Sequence, residues 1–232
     1  MSQRLTLQPV FVLHSRPYSN TSLIVELFSK VYGRIAVVAK SARGPSSRFR
    51  GQLQLFTPIL ASWLGAHELK TLTQIELNGM PLQLNQKPLF CGFYLNELLM
   101  RLLYKEDPHP KLFDYYHDAL NRLEKNNLIP ATLRLFEKKL LDELGYGLPF
   151  TVEAKTRTKI QADLFYRFEH HHGFFLCSPS EPAHTLFLGN DLLAIAEEKF
   201  DTDSILQSAK RLFRSSLIYL LGNKPLNSRG LF

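Results

Sequence analysis

Basic side chains cluster in the segment 33–51, GRIAVVAKSARGPSSRFRG, which contains no carboxylate. Its first half alternates as a strand does, and its second half is rich in Ser, Gly and Pro, which favour turns. The cations in this segment and shortly after it are Arg34, Lys40, Arg43, Arg48, Arg50 and Lys70. A guanidinium fork matches the geometry of phosphate oxygens, so the segment is typical of a loop that binds a polyanion without reading its sequence. The alternative is a solvated surface loop whose charges serve only solubility.

The distribution of charge favours binding of a polyanion. The chain has 232 residues, a formal net charge of +7 and a pI near 9.4. Residues 1–80 contain nine Lys and Arg against three carboxylates, Glu26, Glu68 and Glu76, and therefore hold +6 of that charge. Charges that served only solubility would be spread over the whole chain. A polyanionic partner is therefore favoured over a role in solubility alone.

The residue patterns of common hydrolases and nucleic-acid enzymes do not occur in the chain. It has no Walker loop, no nucleophile elbow, no HExxH helix and no HxE…PCxxC deaminase pattern. A nuclease needs clustered carboxylates to bind Mg²⁺, whereas the three in residues 1–80 are widely spaced. We expect a binding protein that is not an enzyme, with no catalytic residues and no cofactor.

Five short apolar runs, separated by turn residues, make up the first third of the chain. They are predicted strands at 6–15, 22–29, 33–42, 53–64 and 69–77. Five strands in about 80 residues fit a barrel of the OB type, a fold that commonly binds oligonucleotides, and an SH3-like barrel fits the pattern as well. The predicted fold class is α+β, with an OB-fold domain over residues 1–80 and a helical domain over residues 81–232.

The second part of the chain is predicted to be mainly helical. Apolar residues at helical spacing predict a helix of about four turns that starts at Pro88 and two more at 111–125 and 130–144. A hairpin is expected at about 162–178, with its turn at 171–173. Two further helices are predicted at 191–199 and 203–221, the last with Asp203 or Ser204 as its N-cap.

The cysteines and the hydropathy indicate a compartment. Cys91 and Cys177 cannot form a disulfide framework, and neither has a second cysteine at metal-ligand spacing. No segment approaches the roughly 18 apolar residues of a membrane span, and the N-terminus lacks the apolar core of a signal peptide. We therefore expect a cytoplasmic protein that makes no membrane contact. The run 170–172, three consecutive histidines, is expected to form a surface turn, because adjacent side chains on a strand point in different directions.

Four segments, in the same order, resemble the RecO family of bacterial recombination mediators. They are FVLHSRPYSNTSLIVELFSKVYGRIAVVAKSAR, YLNELLMRLL, LRLFEKKLLDELGYG and LGNKPLNSRGLF. The resemblance implies an N-terminal OB-fold, a helical domain, and a cytoplasmic, nucleoid-associated protein. It also implies binding of single- and double-stranded DNA, annealing of complementary strands, and loading of the recombinase RecA, with RecR, onto DNA coated by single-strand binding protein. An RNA-binding or ribosome-associated OB protein would show the same charge and strands, and only the resemblance separates the two.

The chain departs from the family pattern in one module. Many members carry two CxxC pairs after the LGYG-like turn, because tetrahedral zinc needs four soft ligands. Here the first pair is missing, and the second is reduced to Cys177. We predict no zinc and no other metal site. The hairpin must then be held together by packing of Phe165, Phe168, Phe174 and Phe175.

The resemblance also implies a second binding surface, in the helical domain. In the family this domain binds the acidic C-terminal tail of single-strand binding protein, whose end is hydrophobic. Such a tail requires an apolar pocket with cations at its rim, and Arg134 matches the family position for this role, with Lys138 one turn further along the same helix. The apolar lining is predicted to come from Leu95, Leu98, Leu99 and Phe136, although all four also fit a plain helical core.

Overall fold

The computed structural model describes residues 4–126, 128–222 and 224–228. The chain divides into two compact units, Met1–Asn127 with Leu226–Phe232, and Leu128–Pro225. The first unit therefore contains the first five strands and the first two helices of the chain. The domain boundary expected from the sequence lay earlier, between residues 80 and 81. Part of the segment 221–232, which resembles the RecO family in sequence, lies outside the described residues.

The first unit contains a closed five-stranded barrel. Its strands run in the order β1-β2-β3-β5-β4, and β4 pairs with β1 to close the barrel. They are β1 (Arg4–Tyr18), β2 (Ser22–Ser29), β3 (Gly33–Ala39), β4 (Ile59–Leu64) and β5 (Leu69–Leu77). All neighbours are antiparallel except β3 and β5. The predicted α+β class with an OB-like barrel is confirmed.

Alternating side chains fill the interior of the barrel. On β2 and β3 the inward residues are Val25, Leu27, Ile35 and Val37, and Trp63 of β4 is fully buried with them. The strand predicted at 53–64 begins later, at Ile59, because Pro58 and the turn before it interrupt the ladder. The segment 40–58 is therefore a long excursion between β3 and β4.

Two helices of the first unit cover one outer face of the barrel. These are α1 (Lys87–Leu102) and α2 (Pro110–Glu124), both with a proline in the first turn, where its missing N–H costs nothing. Phe11 and Phe28, which point outward from β1 and β2, pack against Phe113 of α2 at centroid distances of 5.3 and 5.5 Å. The middle of β1, Val10 to Leu13, is consequently buried on both faces, which explains its run of large apolar side chains.

Polar side chains on the helices of this unit bind β1 and the segment 226–228. The Tyr116 hydroxyl donates to Asn96 Oδ1 at 2.5 Å, and Asn96 Nδ2 donates to the Leu13 carbonyl at 2.9 Å, so α1, α2 and β1 share one buried network. Glu97 on α1 accepts hydrogen bonds from the backbone amides of Asn227 and Ser228 and from the Ser228 hydroxyl, at 2.7–2.9 Å. This carboxylate ties the segment 226–228 to the first unit.

The second unit contains three helices and a small sheet. The helices are α3 (Ile129–Glu143), α4 (Gly189–Ala196) and α5 (Asp203–Leu221). The sheet order is β7-β6-β8, from β6 (Phe165–Glu169), β7 (Gly173–Cys177) and β8 (Leu186–Leu188), the last of which was not predicted. The N-cap of α5 is Thr202, whose side chain accepts from the Ile205 amide, not the predicted Asp203 or Ser204.

The hairpin β6–β7 packs through phenylalanines, as predicted from its lack of a four-cysteine set. Phe174 is fully buried, and its ring contacts Phe168 at 5.3 Å and Phe150 at 5.7 Å. Phe165 and Phe175 are partly buried. Across the described ranges, no helix combines the length and the apolar character required to cross a membrane.

Candidate nucleic-acid interface

The basic segment forms an ordered loop at one end of β3. Backbone hydrogen bonds three residues apart follow one another through it: Gly44 to Ser41, Ser47 to Gly44, Arg50 to Ser47 and Gln52 to Phe49, at 3.0–3.3 Å. The loop is also tied to the β1–β2 turn, because the Arg43 amide donates to the Thr21 carbonyl at 2.7 Å. Its cations are therefore carried on a defined backbone.

Phe49 anchors this loop to the barrel. It is only 3% exposed and belongs to the same apolar core as the inward residues of β2 and β3. Its neighbours Arg48 and Arg50 are exposed, and the Arg48 guanidinium lies 4.8 Å from the centroid of the Phe49 ring. Phe49 is therefore a structural plug that holds two arginines at the surface, and it does not offer a free face for stacking on a base.

Arg43 connects the loop to the neighbouring turn. Its guanidinium donates to the carbonyls of Ser19 and Asn20 at 2.9 and 2.7 Å, which orients the side chain but leaves its charge uncompensated. Tyr18, directly before this turn, is 44% exposed. Tyr18 therefore directly precedes the turn that the exposed Arg43 contacts. Single-strand binding surfaces combine exposed aromatic rings with positive charge.

Four of the six predicted phosphate ligands share this exposed surface. Lys40, Arg43, Arg48 and Arg50 are all exposed, and none forms an ion pair with a carboxylate among the residues that the structure describes. Arg16 on β1 is exposed as well, and the sequence reasoning missed it. The signal was available, because strict alternation on β1 places Arg16 and Tyr18 on one face.

The other two predicted ligands have a different role in the structure. Arg34 is half-buried and pairs with Glu26 at 3.2 Å, and its Nε donates to the Leu103 carbonyl at 3.2 Å. Lys70 is buried and forms an ion pair with Glu106 as well as a hydrogen bond to the His67 carbonyl. Both charges are therefore compensated within the unit, and Arg34 and Lys70 are not among the exposed cations.

The cations predicted to bind a partner tail lie on α3, next to carboxylates. Arg134 donates to Glu137 at 2.8 Å, and Glu137 is 1% exposed. Lys138 contacts Asp142 and Glu198, both at 3.2 Å. Burial alone would raise the pKa of the Glu198 carboxyl, but hydrogen bonds from Lys139 and Lys138 and their charges outweigh it and lower that pKa. The Glu198 carboxylate is therefore ionised at neutral pH and compensates the charges of Lys138 and Lys139.

The predicted apolar lining of that pocket is buried. Leu95, Leu98 and Leu99 are fully buried in the first unit, whereas Phe136 is buried in the second. None of the four presents an exposed apolar surface. Their part in tail binding stays a prediction.

The hairpin does not offer a set of metal ligands. Among the residues that the structure describes, no three His, Cys, Asp or Glu side chains are placed to hold a metal ion together. Burial raises the pKa of the Cys177 thiol, and the charge of Glu181 adds to this effect, so the sulfur remains protonated at neutral pH. A protonated thiol is a poor zinc ligand.

Two family models match the sequence of this chain. A family model described as "Recombination protein O N terminal" matches residues 1–80, and one described as "Recombination protein O C terminal" matches residues 87–230. The chain belongs to the RecO family. The gap between the two matches falls at the domain boundary expected from the sequence, while the compact units of this RecO-family chain divide later, after α2.

Curated relatives match over nearly their whole length. The chain is 49% identical to "DNA repair protein RecO" of Coxiella burnetii (strain CbuG_Q212), over 100% of this chain and 99% of the relative. It is 44% identical to the proteins of the same name from Haemophilus influenzae (strain Rd), with 97% and 95% covered, and Actinobacillus succinogenes, with 98% and 95% covered.

Proposed function

We propose that this chain is a DNA-binding recombination mediator in DNA repair. In this proposal it binds single- and double-stranded DNA through the barrel, anneals complementary strands, and with RecR helps to load RecA onto DNA coated by single-strand binding protein. It acts as a binding protein, not as an enzyme, in the bacterial cytoplasm at the nucleoid. Family membership supports the DNA-repair role, and the curated relatives carry that description in their names.

The observation that carries the proposal is the exposed cationic loop. Lys40, Arg43, Arg48 and Arg50 stand on a backbone fixed by successive turns and by the buried Phe49, so their charges are displayed without a flexible arm. Such a surface contacts phosphates and leaves base edges accessible, because the phosphate backbone carries the charge and the bases do not. Screening of phosphate repulsion while the bases stay available is the physical requirement for annealing.

The test is an annealing assay with the full-length protein. We expect gel-shift binding of single- and double-stranded DNA at modest salt, and faster pairing of complementary oligonucleotides than in protein-free solution. Competition by RNA of the same length distinguishes the alternative function, since an RNA-binding protein would prefer the RNA strand through its 2′-hydroxyl groups. Absence of DNA binding at low salt would overturn the proposal.

The proposed second surface binds the C-terminal tail of single-strand binding protein through Arg134 and Lys138. Arg134 Nε is buried and has no hydrogen-bond partner among the described residues, so one of its donors is unused. A tail carboxylate must compete with Glu137 for this side chain and reaches the unused donor only when the local packing opens. The proposed site is therefore one that forms upon binding. Phe136 is its apolar residue in the second unit, whereas Leu95, Leu98 and Leu99 belong to the first unit.

Titration of a fluorescent tail peptide tests this surface. Arg134→Glu is expected to abolish peptide binding and to leave annealing of naked strands nearly unchanged, because the cationic loop is untouched. Since a glutamate at this position repels the buried Glu137, Arg134→Gln is the matched variant that keeps a hydrogen-bond donor and removes only the charge. Unchanged peptide affinity in a folded Arg134→Gln protein would exclude Arg134 from the site.

A further inference from the structure

The second unit contains a cleft that the proposed function does not use. Its volume is about 270 Å³, and it lies between the loop 145–149, the turn 170–173 of the β6–β7 hairpin and the last two turns of α5. None of the described residues that line it is an aspartate or a glutamate. Pockets for drug-sized ligands measure about 300–1,000 Å³, so this cleft has room for one ring-sized group.

Aromatic rings gather around one tyrosine at the mouth of the cleft. The His170 ring stacks on Tyr219 with centroids 5.1 Å apart and planes inclined by 20°, and His171 approaches the same ring edge-on at 4.8 Å. Tyr219 is nevertheless 51% exposed. Burial lowers the pKa of His170, and repulsion from His171 lowers it further, so the His170 ring of the stack is uncharged at neutral pH. The cleft thus presents a stacked aromatic platform to solvent.

A buried hydroxyl points to a polar ligand. Ser216, one helical turn from Tyr219, lines the cleft and is 6% exposed, yet its Oγ has no hydrogen-bond partner among the described residues. The neighbouring Ser215 Oγ is by contrast satisfied, since it lies 2.8 Å from His170 Nε2. A buried hydroxyl without a partner is costly, and a ligand with donors or acceptors on its edge removes that cost.

A cationic groove adjoins the cleft. It has a volume of about 620 Å³ and shares Phe168, His170 and Tyr219 with the cleft. The Arg211 guanidinium lies 4.4 Å from the centroid of the Phe187 ring and donates to three carbonyls, which fix it without neutralising it. Arg214 lines the same groove and is exposed.

Not every cation of the groove is available. Arg167 pairs with Glu169 at 2.7 Å and with Glu181 at 3.7 Å, so its charge is compensated. The lining of the groove, as far as the described residues show it, contains no aspartate or glutamate. The positive charge that faces a ligand therefore comes from Arg211 and Arg214.

We propose that the cleft and the groove form a second binding site for single-stranded nucleic acid, separate from the barrel. One unstacked base lies against Tyr219 and forms a hydrogen bond with Ser216, and the flanking phosphates contact Arg211 and Arg214. Stacking on an aromatic ring beside a positive groove is how proteins hold single strands without regard to sequence. An acidic peptide with an aliphatic end would contact the arginines but would offer no planar ring to stack on Tyr219, which is 51% exposed. The site does not depend on the barrel surface, so it stands or falls separately from the proposed function.

The test compares two probes on the full-length protein. One is a short oligothymidylate, and the other is a strand of equal length without bases, which offers phosphates only. The Arg43→Ala, Arg48→Ala, Arg50→Ala triple variant serves as the background, so that binding at the barrel is reduced. We expect the ratio of the two affinities to fall about 5-fold or more in Tyr219→Ala, the loss that corresponds to one stacked base.

Three further variants control this result. Arg214→Ala is expected to weaken both probes equally, because it contacts phosphate. Tyr104→Ala, which removes an exposed aromatic ring from the first unit, should leave the ratio unchanged. Tyr219→Leu keeps an apolar contact with His170 and replaces the alanine variant if circular dichroism shows that the latter is misfolded.

The outcomes separate the possible occupants. An unchanged ratio in a folded Tyr219 variant would overturn the proposal. Displacement of both probes by a peptide of Asp and Glu residues, with no preference for the strand that has bases, would assign the groove to an acidic protein segment instead. Unchanged DNA binding in the loop triple variant, together with a preference for bases that Tyr219→Ala removes, would support this site and count against the barrel loop.

Discussion

Removal of three arginines from the cationic loop should change how DNA binding depends on salt. Arg43, Arg48 and Arg50 are exposed, unpaired with carboxylates among the described residues, and fixed by the loop backbone. We predict that their combined replacement by alanine weakens binding of all single-strand sequences to the same degree. The fold should persist, because Phe49, which anchors the loop, is retained.

The magnitude follows from counterion release. Each phosphate contact on a single strand contributes about 0.7 to the slope of log K against log salt, so three contacts contribute about 2.1. Between 50 and 200 mM salt, a fourfold change, this part of the slope corresponds to a loss of affinity of about 20-fold in the wild type. The triple variant should therefore bind more weakly at 50 mM and should lose about 20-fold less than the wild type upon the change to 200 mM.

Fluorescence anisotropy with a labelled oligothymidylate, measured at four or more salt concentrations, gives the slope directly. Lys30→Ala is the matched control, because Lys30 is also a partly exposed cation of the first unit, paired with Asp114 at 2.8 Å. Lys30 lies before the start of β3, whereas Lys40 follows its end. A strand of seven residues spans about 23 Å, so the two ends of β3 are further apart than the Debye length of about 10 Å at 0.1 M salt. The control should keep the wild-type slope.

An unchanged slope in a folded triple variant would refute the reasoning, because it would mean that these arginines do not displace counterions. A slope that falls equally in Lys30→Ala would indicate binding to the net charge of the unit and not to a defined loop. Affinity lost for one sequence only would also contradict the prediction, since phosphate contacts carry no sequence information.

Three further predictions concern stability and metal content. Burial alone would raise the pKa of the Glu97 carboxyl, but hydrogen bonds from the segment 226–228 outweigh it and lower that pKa below the ordinary 4.5. The contact should therefore stabilise the fold above pH 4.5 and be lost as the pH falls below that value. Hydrogen exchange of the segment 226–228 should rise at the lower pH. In Glu97→Gln it should rise at neutral pH as well. Asn96→Leu should cost about 2–4 kcal/mol by urea unfolding, and Tyr116→Phe only about 1 kcal/mol, since Asn96 keeps its bond to the β1 carbonyl; equal losses would contradict this network. Elemental analysis should find no stoichiometric zinc, because Cys177 is the only cysteine of the hairpin, and chelation should not alter Tm.

The local features of this protein could be predicted from its sequence. The alternation of apolar residues predicted five strands, and the 3.6-residue spacing predicted the helices; β2, β5 and α5 begin and end where the pattern indicated. These patterns are readable because a strand or helix with one buried face repeats its apolar residues at a fixed interval. The basic loop and the four segments that resemble the RecO family were likewise visible as stretches of consecutive residues.

Short elements and caps were less readable. The strand β8 has only three residues, too few to show a period, and it exists because it pairs with β6. The cap of α5 lies at Thr202, one residue before the two predicted candidates, because the chain turns there and Thr202 alone has its side chain in reach of the Ile205 amide. Both cases depend on how the backbone turns, which residue types alone indicate only to within a few positions.

The availability of each cation was decided only by the tertiary structure. Arg34 and Lys70 look like Arg43 and Lys40 in the sequence, yet the first two are compensated by carboxylates and carbonyls, and Lys70 meets Glu106 from 36 positions away. Phe49 lies between two arginines and faces the core. Likewise, the stacking of Tyr219 on His170 joins an element to a turn 49 residues earlier in the chain. Sequence periodicity records which face of an element is apolar, but pairing between distant residues depends on how the elements pack, and that packing determines which charges remain free for a ligand.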